Sequence, residues 1–427
     1  MRSIFLSGLL VLSLICAGVS AQERDRLKAN YDEARVGSFT LPDPLTCQDG
    51  TQVTTPEQWR TKRRPELLQL FETQMYGVMP PASCAKLAFE ELSNEPVFDG
   101  KGIRREIRVY FNAPEKLPKM DLLIYLPAKA TGPVPAFLSP NFPGNQTVCD
   151  DPGVRLPDLE GGTRVKQPVD PATRGGSKSR WSLDRILDRG YALATVYYEE
   201  IDPDFDDGRK NGVHPLFAAW EEENSIPAES RAATITAWAW GLSRALDYLE
   251  TVPEIDANKV IVMGHSRLGK TALWTAACDE RFAMAISNDS GCGGASLTRR
   301  DYGENSAIMD KHLWWWFCKK YSSYVPDPNQ LPFDQHELIC LIAPRPVYVG
   351  SAVEDTWADP RGEFLSAFYA DPVYRLLGTD GIAGVSEWPP VDTPVGGTIH
   401  YHVRTGDHDV VDYDWIQYLD FADKYLK

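Results

Sequence analysis

Short apolar runs alternate with amphipathic stretches along most of the chain. The runs that are typical of strands buried in a sheet cover 122–126, 134–138, 191–196, 260–263, 282–287, 347–352 and 400–404. Residues 103–111 alternate apolar and charged side chains, as a half-exposed strand does. Helical periodicity covers 181–189, 232–249, 271–277 and 415–425. Strands that alternate with helices predict an α/β fold with a mainly parallel sheet.

Two long polar segments, near 145–180 and 198–229, interrupt this alternation and have no clear period. Irregular segments of this length are usually functional or mobile, and we interpret both as insertions between the elements of the sheet. Residues 22–100 are predicted to form an N-terminal arm that packs on the core. Its helix begins at Thr55 and Pro56 and breaks or restarts at Pro65. Residues 101–427 would then form one catalytic domain.

The first 21 residues have the pattern of a secretory signal peptide. Arg2 supplies the positive charge, Ile4 to Ile15 the apolar segment, and Val19-Ser20-Ala21 the small residues of a cleavage site. The apolar segment is too short to span a bilayer. The bulky residue before Cys16 argues against lipoprotein processing there. We therefore expect an exported protein, periplasmic or extracellular, with no membrane span.

Charge and cysteine usage narrow the possible partners. A net charge of −16 argues against nucleic acid, which requires a basic face. Seven cysteines remain after the signal peptide, an odd number, and no C-x-x-C pair supports a zinc site. Cys47 and Cys84 are the preferred disulfide, although most cysteines would otherwise be small buried residues. We predict a monomer with no metal and no cofactor.

The stretch 259–270 carries the main chemical signal. A buried run leads into Gly264-His-Ser-Arg-Leu-Gly269, and a helix follows. This turn differs from the nucleophile elbow Gly-x-Ser-x-Gly only in the position of the second glycine. The tight turn would present the Ser266 hydroxyl at a helix N-terminus, which favours negative charge. We predict Ser266 as a nucleophile; the alternative is a tight turn that contains a serine by chance.

A serine nucleophile needs a base that a carboxylate orients. His408 directly follows the last predicted strand and is expected to be the base, unless it merely caps a turn. In the order serine, acid, histidine, the acid follows the preceding strand, at Glu354 or Asp355. Asp355 is preferred. Asp289, after the strand that follows the elbow helix, is its rival or helper.

Arg267 directly follows the serine and is a candidate stabiliser of negative charge. Its backbone N–H lies at the helix start, where an oxyanion needs a donor. Its guanidinium would add a charged donor. The alternative is a surface arginine that pairs with a nearby carboxylate.

At these residues the chain resembles the glucuronoyl esterases, carbohydrate esterase family fifteen of the α/β-hydrolase superfamily. Residues 264–270 match the family signature Gly-x-Ser-Arg-x-Gly-Lys. The similarity continues through 290–294, 332–336, 343–346, 357–360 and 406–408, and residues 31–33 and 63–67 look like the bacterial members. The resemblance implies an α/β-hydrolase three-layer sandwich with helices on both faces of the sheet and long loop insertions around the active site.

The resemblance also implies a reaction and a substrate. The family cleaves esters between (4-O-methyl-)glucuronic acid branches of xylan and lignin alcohols, so glucuronoxylan and lignin–carbohydrate esters are the implied partners. By position, Arg267 would stabilise the oxyanion, and Lys270, Glu304 and Trp357 would hold the sugar. Lysine and glutamate can hydrogen-bond hydroxyls, and an indole offers a flat apolar surface to a sugar ring.

Two positions depart from the fungal members. Those enzymes have a disulfide-bonded cysteine where this chain has His265, and a glutamate where it has the shorter Asp289. The shorter side chain shifts the expected acid role towards Asp355. Two other functions stay open: an acetyl or feruloyl xylan esterase, and a carbohydrate-binding protein on an inactive hydrolase scaffold.

Overall fold

The computed structural model describes residues 29–157 and 169–427. Within them, ten strands form one sheet in the spatial order β1-β2-β3-β5-β4-β6-β7-β8-β10-β9. The strands are β1 Ala88–Val97, β2 Gly102–Tyr110, β3 Lys119–Pro127, β4 Val134–Asn141, β5 Ala192–Tyr197, β6 Ile255–His265, β7 Met284–Asn288, β8 Val347–Ala352, β9 Val395–Gly396 and β10 Ile399–Arg404. The predicted signal peptide and residues 158–168 of the first predicted insertion lie outside the described residues.

The middle of the sheet is parallel and its edges are antiparallel. The run β5-β4-β6-β7-β8-β10 is parallel throughout. Strands β1, β2 and β3 join it through antiparallel pairs, as does β9 at the other edge. The predicted α/β fold with a mainly parallel sheet is confirmed. Strand β1 was not predicted, because its side chains are mostly exposed and show no apolar alternation.

Helices cover both faces of this sheet. The first helical segment, α1, runs over residues 56–76, and the others are α2 Leu183–Asp188, α3 Tyr198–Ile201, α4 His214–Glu223, α5 Thr234–Leu249, α6 Arg267–Cys278, α7 Ser306–His312, α8 Gln335–Ile342, α9 Pro360–Tyr369, α10 Asp371–Leu376 and α11 Asp412–Leu426. In α1 the side chain of Thr55 caps the first turn, as predicted. The helix does not break at Pro65. The α-helix Arg64–Phe71 follows directly after the π-helical turn Trp59–Arg63. No helix of the described residues is long and apolar enough to span a membrane.

The period of two along the strands divides the core into two layers. In β3, Leu122, Ile124 and Leu126 pack on one face of the sheet, and Leu123 and Tyr125 pack on the other. The first face is covered by α1, α5, α6, α8, α9 and α10, and the second by α2 and α11. This is the three-layer sandwich that the resemblance implied.

The predicted disulfide between Cys47 and Cys84 is not formed, and the seven cysteines of the described residues are all free thiols. Cys47 is buried in the turn that precedes α1, where Glu66 and Lys62 are its charged neighbours. Cys84 lies instead beside Glu221 and Arg244. The two cysteines are close in sequence, but the helical segment between them carries them to different surroundings.

Candidate active site

Four loops meet at the carboxyl end of the parallel strands, where α/β folds bind ligands. They follow β6, β7, β8 and β10, which are consecutive neighbours in the sheet. Ser266 follows the first strand, Asp289 the second, Asp355 the third and His408 the fourth. Residues separated by as many as 142 positions in the chain therefore share one edge of the sheet.

Ser266 has the backbone conformation of a strained turn, with φ 56° and ψ −129°. Its N–H donates to the carbonyl of Asn288 at 2.9 Å, which ties the turn to β7. Both glycines of the motif are sterically required. A Cβ on Gly264 would lie 1.9 Å from the carbonyl oxygen of Leu268, and one on Gly269 would lie 2.9 Å from the Cβ of Ser290. The turn thus excludes larger residues and places Ser266 immediately before α6.

His408 is hydrogen-bonded to Asp355. The distance from Nδ1 of His408 to Oδ2 of Asp355 is 2.6 Å, and the carboxylate is buried. With Nδ1 occupied, Nε2 is the ring nitrogen left for proton transfer. Glu354, the other carboxylate that the sequence left open, is exposed, since adjacent side chains project in different directions.

Asp289 lies near this pair but makes no hydrogen bond to it. One carboxyl oxygen of Asp289, one of Asp355 and a ring nitrogen of His408 all lie within 4.8 Å of one another. Neither oxygen of Asp289 has a hydrogen-bond partner among the described residues, and the closest cation is Arg404, at 3.7 Å. Burial raises the pKa of Asp289 well above its usual range, and the charge of Asp355 raises it further. The neutral acid is therefore the favoured form of Asp289. A metal ion bound by this trio would have to displace the Asp355–His408 hydrogen bond.

His265 packs against His408, with ring centroids 4.4 Å apart. Its Nδ1 lies 2.6 Å from Oδ1 of Asn288, and the side chain is buried. Burial lowers the pKa of His265 well below its usual value, and the neighbouring His408 lowers it further. His265 is therefore a neutral side chain that brings the ring of His408 beside the serine turn.

Arg267 points its guanidinium into an aromatic enclosure. Its Cζ lies 5.5 Å from the ring centroid of Phe142 and 5.0 Å from that of Trp316. Nη1 forms an ion pair with Asp204, which is fully buried. Burial lowers the pKa of Arg267, but Asp204, Tyr198 and Glu304 together raise it more, so the pKa lies above its usual value. Asp204, Trp316 and Phe142 were not predicted as site residues, because each lies far from the serine along the chain.

Lys270, Glu304 and Trp357 come together beside this arginine. Nζ of Lys270 lies 2.6 Å from Oε2 of Glu304, and both side chains are buried. The same ammonium lies 5.8 Å from the ring centroid of Trp316, so Lys270 and Arg267 share one indole. Trp357 is half-buried, and its carbonyl accepts a hydrogen bond from the N–H of Glu304 at 2.7 Å. The arrangement offers charged hydrogen-bonding groups and an indole within one site.

A narrow cleft with mainly apolar walls lies beside the serine turn. Its lining includes Phe142, Pro143, Trp181, His265 and Val410. Because His265 lines this cleft and also contacts His408, the cleft lies beside the candidate base. Chemically, the site combines a serine, a histidine–carboxylate pair, two cations and an apolar cleft. This combination suits acyl transfer to water.

Curated carbohydrate esterases are similar to this chain in sequence. The family model for fungal glucuronyl esterases matches residues 181–378. The carbohydrate esterase MZ0003 of an unknown prokaryotic organism is 46% identical over 402 residues, which cover 93% of this chain and 92% of that protein. A 4-O-methyl-glucuronoyl methylesterase of Phanerochaete carnosa is 27% identical over 79% of this chain and 72% of its own length.

Solved structures of glucuronoyl esterases and related esterases are similar to this chain in fold. A glucuronoyl esterase from Solibacter usitatus superposes with a TM-score of 0.85 at 45% identity, over 92% of this chain and all of that one. A promiscuous esterase of carbohydrate esterase family 15, from a marine bacterial metagenome, superposes with a TM-score of 0.86 at 46% identity, over 93% of this chain. This chain therefore belongs to the glucuronoyl esterases of carbohydrate esterase family 15, which are carboxylic ester hydrolases.

Proposed function

We propose that this protein hydrolyses esters of (4-O-methyl-)glucuronic acid, the branch sugar of xylan, with lignin alcohols. The observation that carries the proposal is the placement of Arg267 and Lys270 on the same indole, that of Trp316. One cation is adjacent to the nucleophile, and the other is paired with Glu304. Together they offer donors both to a carbonyl oxygen and to sugar hydroxyls.

In the proposed mechanism Ser266 attacks the uronate carbonyl while His408 takes its proton. The N–H of Arg267 and its guanidinium receive the charge that develops on the carbonyl oxygen. His408 then protonates the departing alcohol, and water, activated by the same histidine, releases glucuronate from the acyl-enzyme. Asp355 holds the imidazole in the required tautomer, supported by its 2.6 Å hydrogen bond.

The alcohol would occupy the apolar cleft beside His265. In the proposed mechanism His408 gives its proton to the alcohol, so the alcohol must leave on the side of that ring. Phe142, Trp181 and Val410 supply an aromatic and aliphatic lining there. Such walls suit a lignin-type benzyl alcohol better than a small polar one.

The test is hydrolysis of benzyl and methyl glucuronate by the wild type and by Ser266→Ala. We expect the wild type to cleave the benzyl ester faster, and the variant to lose at least about a thousandfold in kcat. Faster cleavage of aryl acetates than of either uronate would contradict the substrate assignment. Unchanged hydrolysis by Ser266→Ala would contradict the site.

A second candidate is a broader esterase that also removes acetyl or feruloyl groups from xylan. It is favoured by one observation: a relative with 46% identity is described as a promiscuous esterase. The ratio of kcat/KM values for glucuronate and acetate esters separates the two proposals. We further propose that the protein is exported through the signal peptide at 1–21 and acts as a monomer, which N-terminal sequencing of the secreted protein and light scattering would test.

A further inference from the structure

Asp204 is a buried carboxylate that accepts hydrogen bonds from four side chains. Its Oδ2 accepts from Nη1 of Arg267 and, at 3.0 Å, from the hydroxyl of Tyr198. Its Oδ1 accepts from the indole N–H groups of Trp315 at 3.1 Å and Trp316 at 2.7 Å. The carboxylate is 0% exposed and the Arg267 side chain is 29% exposed, so solvent reaches the ion pair only from the side of the arginine.

These groups come from three separate parts of the chain. Asp204 belongs to the second predicted insertion, the two indoles to the turn Trp314–Trp316, and the arginine to the first turn of α6. Packing side chains from three segments around one carboxylate fixes their relative positions. The guanidinium is thereby held at one edge by a charge and on its faces by the rings of Phe142 and Trp316.

A buried donor of Arg267 lacks a partner in the described part of the chain. Its Nε–H is buried and has no hydrogen-bond partner among the described residues. A buried charged donor without a partner is costly, and the 29% of the side chain that stays exposed is the part that a bound substrate can reach. The arginine is therefore fixed at Nη1 and unsatisfied at Nε, immediately after the serine.

We propose that Asp204 is a positioning residue of this esterase, which holds the guanidinium of Arg267 in place to receive the carbonyl oxygen of the ester. The inference rests on the proposed oxyanion role of Arg267. A donor that is already fixed needs no reorganisation when the charge develops. Glu304 also attracts this guanidinium electrostatically, so without Asp204 the arginine would be drawn towards the sugar site.

The substitution Asp204→Asn tests this directly. The amide oxygen can still accept from both indoles, while the amide N–H₂ meets Nη1 of Arg267 donor to donor. We expect kcat to fall about 10- to 100-fold, with KM changed less than about threefold, because the lost interaction acts mainly in the transition state. Asp202→Asn is the matched control: Asp202 is equally buried, two residues away, and pairs with His214 instead. It is expected to keep the wild-type kcat.

A double-mutant cycle separates positioning from general structural damage. If Asp204 acts through Arg267, Asp204→Asn should cost nothing further in an Arg267→Ala background, within about twofold. Equal losses in both backgrounds, or a wild-type kcat in the Asp204→Asn single variant, would overturn the proposal. If Asp204→Asn does not fold, Trp315→Phe removes an indole donor of Asp204 and leaves the Trp316 ring on Arg267 intact. The same cycle then applies, with an expected loss of about 3- to 10-fold.

The cycle is measured on benzyl glucuronate and on p-nitrophenyl acetate. A wild type that cleaves only the acetate would disprove the proposed substrate, yet the coupling between Asp204 and Arg267 would still be measurable on that ester. Absence of coupling on an ester that the wild type cleaves well would disprove the positioning role alone.

Discussion

Replacing Asp355 by asparagine should remove most of the activity, while the same change at Asp289 should not. In the wild type, Nδ1 of His408 and Oδ2 of Asp355 are 2.6 Å apart, and the carboxylate is only 1% exposed. An asparagine there cannot stabilise the imidazolium and can select the wrong tautomer. Such a change costs a serine hydrolase on the order of 10³- to 10⁴-fold in kcat.

The position of Asp289 sets the size of this loss. One of its carboxyl oxygens lies within 4.8 Å of an oxygen of Asp355 and of a ring nitrogen of His408, so Asp289 is close enough to replace Asp355 in part. Removing the charge of Asp355 also removes one of the causes that keep Asp289 neutral. We therefore expect the lower end of the range, a loss of about 10³-fold in kcat, equivalent to about 4 kcal/mol.

The assay is steady-state kinetics on benzyl glucuronate near neutral pH for both single variants and the double variant. Asp289→Asn should stay within about threefold of the wild type, because an amide resembles the neutral acid that burial favours. The double variant should be slower than Asp355→Asn alone. The assignment would be refuted if Asp289→Asn lost about 10³-fold while Asp355→Asn kept most of its kcat.

Four further outcomes are expected. Urea unfolding should show Ser266→Gly to be about 1 kcal/mol more stable than Ser266→Ala, which is equally inactive, because glycine tolerates a φ of 56°. Equal stabilities of the two variants would contradict backbone strain at the turn. A buried Asp289 that keeps its proton costs stability as pH rises, since the unfolded acid ionises above about pH 4. The free energy of unfolding of Asp289→Asn should therefore rise relative to that of the wild type by up to about 1.4 kcal/mol per pH unit. A difference in unfolding free energy that stays constant from about pH 5 to about pH 8 would contradict a protonated Asp289. Lys270→Met should raise KM and lower the unfolding free energy by about 3–5 kcal/mol, because it leaves Glu304 buried without its cation; an unchanged melting curve would contradict a buried pair. Trp181→Ala should lower the benzyl-to-methyl ratio of kcat/KM by about 5- to 10-fold, and an unchanged ratio would place the alcohol elsewhere.

Local patterns were enough to predict most of the sheet. Buried runs such as 260–263 and 347–352 identified the parallel strands, since side-chain period and turn sterics act over a few residues. Strand β1, which is mostly exposed, left no such pattern. The predicted Cys47–Cys84 disulfide was wrong, because proximity in sequence says little about proximity across a helical segment.

The sequence by itself determined the serine turn. Gly264 is imposed by the carbonyl of Leu268, four residues along the chain, so this glycine and the geometry of the turn are inseparable. Gly269 instead makes room for Ser290, which only the tertiary structure brings close. Tertiary structure decided which groups meet that turn. From the sequence, Asp355 and Asp289 were both plausible partners of His408. The packing of neighbouring strands brings Asp355, and not Asp289, into hydrogen-bond contact with the histidine. Asp204 could not be foreseen at all, because the arginine and the two indoles that it binds lie 63 or more positions away and meet it only when three segments fold together.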